Sequence, residues 1–238
     1  MAMGVCGDLC SEKYGISRQE QDSHAAESYR RSLQATEAGW FQEEIVPVEV
    51  KVRKKGTRTI TKDQECRAVE AKGLGKLRAA FTKTGSVTAG NASVISDGAA
   101  CLVLCSGSFA RERGLRVLAV LAGQADAAQA PKEFTTAPSL AIPRALARAG
   151  LRQDQVALFE INEAFSVVAL ANQKLLKIPS DRVNVHGGAV SMGHPLGTSG
   201  ARILVTLIHA LRRRGEKVGV AGICNGGGGA SACVVVCR

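Results

Sequence analysis

Apolar residues in the second half of the chain fall into short runs separated by longer stretches of helical spacing. Residues 117–122, 156–161, 218–224 and 230–236 each carry a short apolar run that predicts a strand, and 183–186 predicts a shorter one. Between them, 140–149 predicts a helix with Pro143 near its start and Gly150 at its end. The run EAFSVVALANQKLLK after Asn162 predicts a second helix. Residues 199–214 predict a third, with Ile203, Leu204, Leu207, Ile208 and Leu211 on one side and Gly215 as its stop. Strands alternating with helices predict a layered α/β domain, with helices on both faces of a mixed sheet.

The first half is more polar. Ser17 and Glu20 have the spacing of a capping box and open an amphipathic helix that runs to about Ala38 and ends at Gly39. Trp40 and Phe41 then pack down as its anchor. Residues 45–52 (IVPVEVKV) alternate at period two, and Pro47 predicts an edge strand. The polar stretch 54–78 reads as an excursion outside the core. After it, 101–105 (CLVLC) predicts a buried strand and 109–113 a short helix closed by Gly114.

Composition narrows the classes. The hydrophobic fraction is 45% but aromatics are only 4%, so the core is aliphatic. Lys and Arg number 31 against 21 Asp and Glu, a net charge of +10 that is dispersed along the chain. The dense runs at 51–55 and 212–214 carry no interleaved aromatics, which argues against a nucleic-acid surface. The eight cysteines include two CxxxC pairs, Cys6/Cys10 and Cys101/Cys105, and no CxxC or His-x-x-x-His set that would complete a zinc site. With no secretory leader and no apolar run of membrane-spanning length, the expectation is a soluble, reduced protein without a membrane partner.

Chemistry concentrates at three points where strands meet loops: Asn162, His194 and Cys224. Side chains at strand ends face the ligand crevice of α/β folds. The window 186–202 (HGGAVSMGHPLGTSGAR) holds two of the four histidines and five glycines, so His194 lies in a chain with room for a ligand. A thiol that exchanges a proton, an imidazole that titrates near neutrality and glycine N–H groups that hold an oxyanion together suit acyl transfer. Plainer readings stand beside this one: Asn162 as a helix cap, Cys224 as a buried strand cysteine, His24 and His209 as helix-surface residues. His186 reads as a further ligand contact. The glycines 226–229 lack the Gly-Lys-Ser/Thr of a phosphate loop.

Four ordered motifs, TAGNASVISDGAA (88–100), NEAF (162–165), VNVHGGAVSMGHPLGTSGAR (183–202) and ICNGGGGASA (223–232), resemble the thiolase family, and its short-chain biosynthetic branch most. The resemblance implies a thiolase-like layered fold, with 1–84 as part of the inserted loop domain and 85–238 as the C-terminal domain. It implies condensation of two acetyl-CoA to acetoacetyl-CoA plus CoA, or the reverse thiolysis. In that scheme His194 activates the nucleophile, Cys224 exchanges protons with the acetyl carbon or the departing thiol, and Asn162 and the Gly226 N–H serve oxyanion holes. Ser93 and, more weakly, Arg67 would contact CoA. Tyr29, Ala89, Gly90, Ala92 and Val190 match the potassium site of one sub-branch; no cofactor is tightly bound. The family's nucleophilic cysteine belongs to an N-terminal half with no counterpart here, so turnover is expected only when that half is present. A longer-chain 3-ketoacyl-CoA thiolase and a truncated, non-catalytic CoA-binding or assembly protein are the alternatives. The family further implies a homo-oligomer, in mitochondria or cytoplasm.

Overall fold

The computed structural model describes residues 1–53, 56–69 and 71–238; Lys54 and Lys55 of the basic run and Glu70 lie outside them. Helix α1 (Met3–Tyr14) ends at Gly15, whose φ of 59° lies in the left-handed region. The capping box then opens α2 (Arg18–Glu37) as the sequence predicts: the Ser17 N–H donates to Glu20 Oε2 at 2.6 Å, and the Glu20 N–H returns to Ser17 Oγ at 3.2 Å. The buried side of α2 is Gln21, Ala25, Ser28, Tyr29, Ser32 and Ala35, mostly small residues that admit a neighbouring backbone closely. Gly187 uses that room, since a Cβ there would stand 2.7 Å from Ser28 O.

Strands β1 (Val48–Val52) and β2 (Gly56–Ile60) form an antiparallel hairpin, largely exposed, that stands apart from the main sheet. The short helices α3 (Ala71–Leu74) and α4 (Gly107–Glu112) follow. Between them the expectation of a buried strand at 101–105 fails. Those residues are in no strand, Val103 is 94% exposed, and Cys101 and Cys105 face solvent. An apolar run becomes a buried strand only when a neighbouring strand pairs with it, and none of the described strands or bridges pairs with this one.

The main sheet has four strands, β3 (Ala119–Ala128), β4 (Leu158–Ile161), β5 (Val218–Cys224) and β6 (Gly229–Cys237), in the order β3-β6-β5-β4. Only the β4–β5 pair is parallel. β3 reaches further than its apolar run predicts because pairing with β6 carries it through Ala128. Helix α5 (Pro138–Ala149) covers one face, packing Ile142 and Leu146 on Phe159, Ile161, Val220 and Val234. Pro143 lies inside α5, since Pro138 takes its first position. Helix α8 (Ser199–Arg214) covers the other face, where Ile203, Leu207 and Leu211 meet Leu158, Ala221 and Val235. This is the mixed sheet between two helical layers that the alternation predicts. Each such buried aliphatic side chain contributes about 1.5–3 kcal/mol.

Helix α6 (Ser166–Leu176) packs against α1 and α2, and α7 (Ala189–Met192) lies on α2. The strand expected at 183–186 is reduced to isolated bridges, Phe159 with Val183 and Val185 with Gly187, because Asn184 turns to a φ of 48°. Phe41 is buried, and it and Trp40 pack on the His186 ring at 6.0 and 5.0 Å between centroids. No described helix is long and apolar enough to cross a membrane.

The fold separates two apolar positions sharply. Leu207→Ala, at a side chain with no exposure, is expected to cost about 2–5 kcal/mol. Val103→Lys is expected to change stability by less than about 0.5 kcal/mol. Urea denaturation of the two variants checks both.

Candidate active site

β4 and β5 run parallel, so their C-terminal ends emerge side by side: Ile161 pairs with Gly222, and the Asn162 N–H donates to Gly222 O at 3.0 Å. That register brings Asn162 and Cys224 to one end of the sheet, the position at which α/β folds place ligands. Asn162 is not a helix cap, because α6 starts at Ser166 with Phe165 before it. Its Nδ2 lies 3.3 Å from His194 Nε2, while its Oδ1 is buried with no protein partner.

His194 reaches this point on the loop between α7 and α8. Its N–H donates to Val94 O at 2.7 Å, and Gly193 before it turns through a φ of 83° with its α-carbon against Ser96, which leaves no room for a side chain. His194 Nδ1 lies 2.6 Å from Ser199 Oγ, and Ser199 Oγ lies 3.1 Å from Pro195 O. A hydroxyl has one proton to give. Since Pro195 O can only accept, Ser199 gives its proton there and accepts from Nδ1–H. The Nε2 lone pair is then free to accept from the Asn162 amide, and the ring is neutral. Burial, and after it the Arg202 charge, hold the His194 pKa below the ordinary histidine value, in keeping with that state.

Cys224 ends β5 among Cys6, Cys10, Phe134, Phe165 and Val168. Burial pushes its thiol up to about 12, so at rest it is a neutral SH. Beyond it the glycine loop is ordered by one side chain: Asn225 Oδ1 accepts from Gly227 N–H at 3.1 Å and Gly229 N–H at 3.3 Å. Gly226 packs against Met3 at the start of α1; a Cβ would stand 2.9 Å from Met3 Sδ.

Ser93 joins the group. Its N–H and hydroxyl both donate to Ala164 O, at 3.1 and 2.9 Å, which seats it on the loop that follows Asn162. Arg67 stands elsewhere, with a side chain 63% exposed and 3.7 Å from Glu65. Of the potassium set, Tyr29 and Val190 share a buried cluster with Leu74, and Gly90 packs on Leu74 as well. Ala89 is exposed and Ala92 bridges to Phe165. Burial raises the Tyr29 pKa, so its hydroxyl stays neutral. A neutral phenol with backbone carbonyls suits a weakly held monovalent ion. No group of three or more His, Cys, Asp or Glu among the described residues is arranged to hold a metal.

Sequence reasoning passed over Glu163. This carboxylate is 1% exposed and accepts four hydrogen bonds, from His24 Nε2 at 3.0 Å, Ser28 Oγ at 2.8 Å, Asn184 Nδ2 at 2.8 Å and Val190 N–H at 3.2 Å. Burial alone would raise its pKa, but the His24 ring and the hydrogen bonds from His24, Asn184 and Ser28 outweigh it and hold the carboxyl down at about 2. His24 is therefore a half-buried partner of the site loop, not the helix-surface residue its position suggests. His186 is buried under Trp40 and Phe41 and burial pushes its pKa down to about 4, which makes it packing and not a ligand contact. The available signal was an acidic residue two positions beyond a buried strand, where an unpaired carboxylate is costly.

Two family descriptions match this architecture: the thiolase N-terminal domain over residues 1–108 and the thiolase C-terminal domain over 115–237. The chain belongs to the thiolase family. Among relatives, acetyl-CoA acetyltransferase 1 of Arabidopsis thaliana is 59% identical over 235 residues, covering 98% of this chain and 57% of that protein. The acetyl-CoA acetyltransferase of Yarrowia lipolytica is 54% identical, with 98% and 58% covered. The crystal structure of the Bacillus anthracis acetyl-CoA acetyltransferase superposes with a TM-score of 0.98 at 42% identity, over 100% of this chain and 60% of that one. Human mitochondrial 3-ketoacyl-CoA thiolase gives 0.93 at 37%, over 99% and 60%. This thiolase chain thus spans under two thirds of the length of the relatives it matches.

Glu163 makes this site acid-sensitive. Its pKa falls from 4.5 to about 2 on folding, so its stabilisation is complete above about 4.5 and is lost as pH falls through about 2. Glu163→Gln is expected to cost at least about 2 kcal/mol at pH 7. The gap to the parent chain should close as pH drops through that window, as followed by urea denaturation at a series of pH values.

Proposed function

We propose that this chain carries the proton-handling part of a thiolase acyltransferase that condenses two acetyl-CoA into acetoacetyl-CoA and CoA, and reverses the reaction. The observation that carries the reading is the chain Asn162–His194–Ser199 set beside Cys224 at the ends of two parallel strands. The nucleophilic cysteine is assigned to the part of the longer relatives that this chain does not span. In the first half-reaction the nucleophile gives its proton to His194 Nε2 and attacks the acetyl carbonyl. The carbon–sulfur bond of acetyl-CoA breaks, and the departing CoA thiolate takes a proton from the neutral Cys224 thiol. Burial keeps the resting Cys224 as a thiol, so the proton is present on it before the reaction starts.

The second half-reaction uses the thiolate so formed. The Cys224 thiolate removes a proton from the methyl group of a second acetyl-CoA, the resulting carbanion attacks the acetyl-cysteine, and its carbon–sulfur bond breaks as the nucleophile's thiolate takes back the proton held on His194. By resemblance to the family, a water held by Asn162 and the Gly226 N–H hold the carbonyl oxygens as charge develops on them. Ser93 lies against the pantetheine chain, Arg67 is the weaker CoA contact, and potassium sits against Tyr29 and carbonyls of Ala89, Gly90, Ala92 and Val190. Identities of 59% and 58% to the two Arabidopsis acetyl-CoA acetyltransferases favour the short acyl chain over a longer one. The active assembly is a homo-oligomer.

The test uses the protein with its nucleophile-bearing half in place. His194→Ala is expected to lower both covalent acetylation by acetyl-CoA and condensation, by about 10²–10⁴-fold. Unchanged rates would remove its role. Cys224→Ser should keep much of the acetyl-enzyme, read by mass spectrometry, while condensation falls by a similar factor. Retention of both steps would take Cys224 out of the mechanism.

A further inference from the structure

Glu160 and Asn162 lie two residues apart at the end of β4, and Ser199 and Arg202 lie three apart on the first turn of α8. Such spacings put each pair on one face of its element. Two rungs consequently join the same strand to the same helix. The upper rung is Asn162–His194–Ser199; the lower is Arg202 Nη1 at 3.7 Å from Glu160 Oε2. The lower rung is buried: Glu160 is 1% exposed, and both Nη atoms of Arg202 are shielded from solvent without a hydrogen-bond partner. Arg202 also faces Glu44 from the segment after α2, and Glu163 lies on the β4 side near Glu160. Arg202 follows Ser199 by about one turn of α8, and Ser199 Oγ lies 2.6 Å from His194 Nδ1, so guanidinium and imidazole are held from the same end of one helix; after burial, the Arg202 charge is the second cause that lowers the His194 pKa. The ring further sits at the N-terminal end of α8, where the helix dipole opposes a cation.

We infer that Arg202 is a positioning residue for the base: tied to Glu160 one turn beyond Ser199, it sets the first turn of α8 and places a positive charge beside His194. That charge adds to burial in disfavouring the imidazolium, while Ser199 holds the proton on Nδ1 and leaves the lone pair on Nε2. A guanidinium buried without full hydrogen bonding is costly, which a purely structural anchor would avoid by pairing directly. The inference rests on His194 serving as the base in the reading above.

Proton NMR of the histidine rings in the 238-residue chain tests it without turnover, the His194 signal being assigned by its loss in His194→Gln. Arg202→Gln should raise the His194 titration midpoint, while Arg202→Lys, which keeps the charge, should leave it near the parent value. Glu160→Gln leaves Arg202 in place and should lower the midpoint or leave it unmoved. An unmoved midpoint in Arg202→Gln, an equal displacement in the Gln and Lys variants, or a rise in Glu160→Gln overturns the inference. In the protein with its nucleophile-bearing half, Arg202→Gln should lower kcat about tenfold with KM little changed, and Lys should restore most of it. The titration stands or fails separately from the acyl-transfer reading, which the His194→Ala rates decide.

Discussion

Everything near His194 hangs on a carboxylate that water does not reach. Glu163 draws donors from α2, from the segment at 184 and from the start of α7, and a buried charge tolerates no smaller number. Because the four donors come from three separate parts of the chain, the carboxylate fixes their relative positions as a packed apolar contact would not. Gly188 lies directly against it, where a Cβ would collide with the carboxylate itself. The loop 183–193 is therefore shaped from beneath before it delivers His194 above.

Above that anchor the site is built from neutral groups held ready for charge. The imidazole, the Cys224 thiol and the Tyr29 phenol are all pushed toward their uncharged forms by burial. Reactions that create and pass on charge gain most from an environment fixed in advance, since little has to reorganise as the barrier is crossed. Glu163 and Arg202 supply charge one layer away, Glu163 through its hydrogen bonds to the loop and Arg202 from the start of α8.

Features with local causes were legible in the sequence. The Ser17–Glu20 box, the apolar side of α8 with its Gly215 stop, and β5 and β6 all follow from spacing within one segment. The clustering of Asn162, His194 and Cys224 was legible too, through strand-end placement and the family motifs. What escaped depends on distant partners. His24 and Ser28 are 139 and 135 residues from the Glu163 they bind, and no pattern around residue 163 announces them. Asn162 looked like a cap because helix starts are read from local chemistry, whereas Phe165, pinned by its bridge to Ala92, sets where α6 begins. The run at 101–105 has the composition of a strand without a neighbour to make it one.

That run has a colloidal consequence. Residues 101–105 present apolar side chains to solvent, and their backbone belongs to no sheet. Such a segment is a template to which any other unpaired strand can add, and every copy of the chain carries both template and strand. Association through this segment should then grow with the square of concentration while folding does not, so the two can be told apart by dilution alone.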